Sequence, residues 1–169
     1  MNQPKLPEPW LRGTLTDVAP TQRGVLHALE AAIEDLERWC CSLTEDQLDA
    51  RPAGIAPVAF HIRHIARSTD RLLTYAEGQQ LSEPQLALLK TELDPGATSH
   101  TLFDELNAGL AQAATRIRAF HPDQLTDPRY VGKKQLPTTV AGLLVHVADH
   151  AQRHVGQAIT TAKIVTGIA

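Results

Sequence analysis

The sequence predicts an all-α protein built as a four-helix bundle, with short connecting helices and an extended N-terminal arm. Three observations carry that expectation. Four long segments repeat their apolar residues at three- and four-residue steps, no stretch sustains the alternation of a strand, and prolines gather between those segments. Amphipathic helices of that length bury their stripes most simply against one another.

Residues 1–20 carry Pro4, Pro7, Pro9, Gly13 and Pro20, a density that blocks helix interiors and predicts an arm lying on the domain formed by residues 21–169. From Thr21, the residues Val25, Leu26, Leu29, Ile33, Leu36, Trp39, Cys40 and Leu43 mark the first helix. Thr44 with Gln47 is a capping box for a short turn of helix, which Pro52 and Gly54 end. The second long helix spans 57–76, with Val58, Ile62, Ile65, Leu72, Leu73 and Ala76 as its stripe and Gly78 as its stop. A short helix is expected over 82–93, closed by Pro95-Gly96. A third long helix runs over 101–120 through Leu102, Phe103, Leu106, Leu110, Ala114, Ile117 and Phe120. Pro122, Pro128, Gly132 and Pro137 then predict a loop with an extended piece at Tyr130-Val131, and the last helix occupies about 138–165.

Composition narrows the function classes. A chain of 169 residues is the length of one domain that buries roughly 70% of its unfolded surface. A net charge of -3 argues against nucleic acid as a partner. No apolar run approaches the ~20 residues of a membrane span, and the N-terminal residues lack the apolar core of a signal peptide. Two adjacent cysteines make no disulfide framework, which fits a reducing cytoplasm.

Eight histidines are the unusual feature. His61 and His64 fall on the second long helix, and His146, His150 and His154 fall on the last. Imidazole is a common ligand for zinc, nickel and iron. Residues four apart sit ~6 Å along a helix axis and can share one ion, whereas His146 and His154, ~12 Å apart, cannot do so readily. The apolar stripe of Val140, Leu144, Val147, Ala151, Ala158 and Ala162 selects between the two possible pairs. His154 and His150 lie nearest that stripe and His146 on its flank, where it either supports a ligand from outside or faces solvent. On the second helix the same projection favours His61 over His64, and both stay open as the ligand contributed there. Three further histidines, His27, His100 and His121, are isolated and expected at the surface or in caps. There is no HExxH, because Val147 follows His146.

These segments resemble a known family. Residues 57–72, PVAFHIRHIARSTDRL, look like the metal-binding second helix of the DinB/YfiT-like superfamily, and residues 150–157, HAQRHVGQ, like the HxxxH signature of its last helix. The resemblance implies an up-down-down-up bundle, a homodimer, and a divalent ion held by His64, His150 and His154, with His61 as the fallback. It also implies a small-molecule substrate. Characterised relatives include transferases that use low-molecular-weight thiols and a maleylpyruvate isomerase, so the expected chemistry is metal-dependent transfer of such a thiol to a small electrophile. Arg153 and Gln157 are candidates for holding the substrate. The alternatives are hydrolysis by metal-bound hydroxide, for which neither Asp70 nor Asp149 stands out as a base, and a non-enzymatic metal-binding stress-response bundle.

Overall fold

The computed structural model describes residues 6–167 and contains four long helices. These are α1 (Pro20–Cys40), α3 (Val58–Ala76), α5 (Ser99–Ala119) and α6 (Val140–Thr166). Two short helices, α2 (Glu45–Asp49) and α4 (Glu83–Lys90), sit in the connections. Both short helices start on a capping box: Thr44 with Gln47, and Ser82 with Gln85. The stripes legible in the sequence form the core, with Leu36, Ile62, Ile65, Leu73, Leu106, Ile117 and Leu144 all fully buried.

Side-chain pairings fix the direction of each helix. His61 meets His154 and His64 meets His150, so α3 and α6 are antiparallel. Arg67 pairs with Glu105 and Asp70 with Arg116, so α3 and α5 are parallel. Gln152 donates to the carbonyl of Ala28 and Lys163 lies over the ring of Trp39, so α1 and α6 are parallel. Gln22 donates to the carbonyl of Phe120 and Ser99 to that of Cys41, so α1 and α5 are antiparallel. The order is up-down-down-up, with α1 and α3 each packed between α5 and α6.

Parallel neighbours in sequence need a return path. Residues 77–98 with α4 provide it between α3 and α5. The two helices approach closely at Gly109, where a Cβ would stand 3.2 Å from the Cβ of Ala66. Between α5 and α6 the chain forms an antiparallel ribbon, β1 (Pro128–Val131) against β2 (Leu136–Thr139), where the sequence suggested only a loop with one extended piece. Two prolines and four-residue strands left little alternation to detect. Gly132 and Gln135, both at positive φ, close the ribbon's turn, and Arg129 ties the ribbon to the carbonyl of Ala76. Thr139 then caps α6 by accepting from the amide of Gly142.

The N-terminal residues 6–19 lie along α1, with a 3-10 turn at Pro9–Leu11. Arg12 grips Glu34 of α1 through two hydrogen bonds of 2.6 and 2.7 Å.

Candidate metal centre

α3 and α6 carry their histidines at matching heights because they run antiparallel. His64 of α3 and His150 and His154 of α6 each offer a nitrogen, and these three atoms lie within 4.8 Å of one another. The Nε2 atoms of His64 and His150 are 2.9 Å apart. All three rings are half-buried. Burial, then the neighbouring His64, pushes the pKa of His150 down to about 4 and that of His154 to about 3. Both are therefore neutral at physiological pH, with a lone pair free on each ring.

His61 is buried, as its place nearer the stripe centre predicted, but it sits outside the group of three. Its Nδ1 lies 2.9 Å from Nδ1 of His154, so one ring donates and the other accepts. Burial and the nearby His64 push its pKa to about 4. His146 is exposed; its ring lies 5.3 Å from that of His150 and its Nδ1 3.8 Å from Asp149. Among the isolated histidines, His121 caps a 3-10 turn and His100 is exposed, as expected. His27 departs from that expectation. It is 5% exposed, with Nε2 3.2 Å from the hydroxyl of Thr14, because the N-terminal arm covers its face of α1.

Glu92, just beyond α4, was not legible as a site residue. Its carboxylate is 4% exposed and receives two contacts of 2.7 Å, one from Nδ1 of His64 and one from Arg71. Burial opposes its charge, yet hydrogen bonds from His64 and Arg71 outweigh burial and hold its pKa below the ordinary value. The signal that could have found it is the spacing of Arg63, Arg67 and Arg71. Three arginines at four-residue steps on one face of an amphipathic helix call for acceptors nearby.

A cavity of ≈ 810 Å³ opens beside the cluster. Ile55, Ala56 and Phe60 give it an apolar wall, His61 and His154 join it to the cluster, and Arg153 stands at its rim. Phe60 stacks on His64, with ring centroids 5.1 Å apart. Arg153 pairs with Asp149 at 2.6 Å and is more than half exposed. Gln157 also lines the cavity.

The family model of the DinB superfamily matches residues 28–158, well over half of the chain. The chain belongs to the DinB superfamily. A crystal structure of a conserved protein from Enterococcus faecalis is similar to it at a TM-score of 0.72 and 22% identity, over 86% of this chain and 97% of that one. YfiT from Bacillus subtilis, described as a probable metal-dependent hydrolase with an unusual four-helix bundle topology, is similar at a TM-score of 0.64 and 19% identity, over 88% and 89% of the two chains. No functionally curated protein matches the chain at a significant level.

The three histidines suit a divalent ion in kind, number and closeness. Imidazole nitrogen is a standard donor to zinc, nickel and iron, and bonds of ~2.0–2.1 Å let one ion reach a group of this span after small side-chain adjustments. Three protein donors leave coordination positions for a ligand from solution, the pattern of catalytic sites. No helix among the described residues is long and apolar enough to cross a membrane.

Proposed function

We propose that this DinB-superfamily protein is a metal-dependent enzyme that transfers a low-molecular-weight thiol to a small electrophile, with His64, His150 and His154 holding one ion of zinc, nickel or iron. The observation that carries the reading is the meeting of these three imidazoles beside a largely apolar cavity, which His154 lines. A divalent ion supplies Lewis acidity there, drawing the pKa of a thiol or water that it binds toward neutrality.

The chain's own residues do the rest. His150 and His154 stay neutral and keep their lone pairs. Phe60 stacks on His64 and forms an apolar side of the cavity, where a hydrophobic electrophile loses its water. Arg153 and Gln157 at the rim offer a cation and an amide to the carboxylate or amide groups of a cosubstrate thiol. No carboxylate lines the cavity among the described residues. That favours a thiol, whose pKa of ~8.5 needs far less help from a base than the ~15.7 of water.

Hydrolysis is the second reading, and the description of YfiT favours it. Metal-stripped protein reloaded with zinc, nickel or iron(II) and offered several thiols with a bimane-type electrophile separates the two. Metal-dependent thiol consumption, abolished in His150→Ala and His154→Ala, is expected. Ester cleavage without thiol consumption selects hydrolysis, and neither activity with any ion leaves a non-enzymatic metal-binding bundle. Loss of metal in His61→Ala with retention in His64→Ala would move the third ligand to His61.

In this reading residues 21–169 are the catalytic bundle, residues 1–20 its arm, and the protein acts on small molecules in the cytoplasm as a homodimer. Sedimentation giving a monomer mass removes the dimer.

A further inference from the structure

Three arginines, Arg63, Arg67 and Arg71, follow one another at four-residue steps along α3, on the face turned toward the connection between α3 and α5. Each reaches into that connection. Arg63 donates to the carbonyl of Asp94. Arg67 donates to the carbonyl of Leu88 and the hydroxyl of Thr91, both at 3.0 Å, while also pairing with Glu105. Arg71 donates to Oε1 of Glu92 at 2.7 Å. Arg63 and Arg71 are each only 8% exposed, so these bonds are made in poor solvent, where a charged donor needs its acceptor. Gln85 adds contacts to Asp70 and Thr74, and the amide of Gly96 donates to Asp49. The segment after α4 is thus tied down on several sides, and the residue it brings inward is Glu92.

The other carboxylate oxygen of Glu92, Oε2, lies 2.7 Å from Nδ1 of His64. An ionised carboxylate only accepts, so Nδ1 must carry the proton. A neutral imidazole with its proton on Nδ1 keeps its lone pair on Nε2, and Nε2 is the atom that faces Nε2 of His150. From this geometry we propose that Glu92, held by Arg71, is the positioning residue of the cluster: it fixes the tautomer and ring orientation of His64 and aims Nε2 at the other two histidines. The inference rests on the metal-centre reading for its consequence in ion affinity, and on hydrogen-bond chemistry alone for the tautomer.

Glu92→Gln makes the sharpest test, because it keeps the shape and reverses the instruction. Arg71 has only donors, so it takes the glutamine carbonyl and leaves the amide NH2 facing Nδ1 of His64. An NH2 facing Nδ1 requires an acceptor there, which moves the histidine proton to Nε2. Long-range 15N–1H correlation spectra of metal-free protein above neutral pH read the tautomer of each histidine directly. Wild-type protein is expected to show His64 protonated on Nδ1, and Glu92→Gln to show it protonated on Nε2. Chelator competition should then find ion binding 10–100-fold weaker in Glu92→Gln and Glu92→Ala. A carboxylate that merely balanced Arg71 would change stability and leave the tautomer where it was.

The wild-type spectrum needs no variant, so a failure of either variant to fold leaves the proposal exposed to test. His64 protonated on Nε2 in wild-type protein overturns it. So does an unchanged tautomer in Glu92→Gln, or an affinity within twofold of wild type. Wild-type protein that takes up no ion while showing the Nδ1 tautomer and its reversal would remove the metal-centre reading and uphold the role of Glu92 toward His64.

Discussion

Cys40 and Cys41 are adjacent in sequence and opposite in environment. Cys40 is fully buried, and burial, with a smaller contribution from Cys41, pushes its thiol pKa up to about 12. Cys41 is exposed. The thiolate is the reactive form, so a brief treatment of native protein with iodoacetamide near neutral pH should modify Cys41 alone. Peptide mass spectrometry reads the outcome, and comparable labelling of Cys40 before unfolding would contradict the burial. That difference was legible in the sequence, because adjacent positions on a helix point to different faces. The choice of His150 and His154 on α6 was legible for a related reason, through helical spacing and the apolar stripe, whereas His64 came from the family resemblance. On α3 the stripe alone pointed to His61, and burial follows it. Depth in a core and membership of a cluster are different properties. His61 lies deeper, while His64 stands at the height where α6 presents His150. Glu92 was beyond reach because it is neither periodic nor near a histidine in sequence. Only the folding back of its connection, 28 residues after His64, brings the two together.

At the scale of elements, long helices with clear stripes were read to within a few residues at each end, and the capping box of Thr44 with Gln47 was read as such, while that of Ser82 with Gln85 was not. The ribbon of β1 and β2 was not, since Pro128 and Pro137 sit inside its strands and each strand has only four residues. Its stability comes from tertiary bonds, such as Arg129 to Ala76 and the amide of Val140 to the carbonyl of Asp127. The attachment of the N-terminal arm to α1 has a pH signature. The hydrogen bond from Arg12 is the main cause that lowers the pKa of Glu34 below its ordinary value of 4.5. A carboxyl with a lowered folded-state pKa contributes stability that is present above the unfolded-state value and lost as pH falls through the folded-state one. Wild-type protein should therefore melt above Glu34→Gln at neutral pH, and the gap should close as the pH drops below about 4.5. Melting curves at several pH values check this; a gap that is constant with pH would show that Arg12 does not favour the ionised form of Glu34.

For the whole molecule, the candidate centre joins α3 to α6, two helices whose contacting histidines are 86 and 93 positions apart. An ion bound there favours only the folded chain. At a free concentration a hundred times its dissociation constant it adds ~2.7 kcal/mol, which for a chain of this size raises Tm by roughly 5–10 °C. Calorimetry with and without chelator measures the shift. The same chelator should leave His150→Ala unchanged, and a wild-type Tm indifferent to every divalent ion would argue against the centre. The up-down-down-up order has a consequence for biosynthesis. α6 supplies two of the three clustered histidines and packs against both α1 and α3, yet it is the last of the four long helices to leave the ribosome. Until it emerges, His64 lacks the two histidines of α6, and the sides of α1 and α3 that α6 covers are open to water or to a chaperone. Closure of the core and assembly of the candidate metal centre therefore belong to the same late moment in the life of the nascent chain.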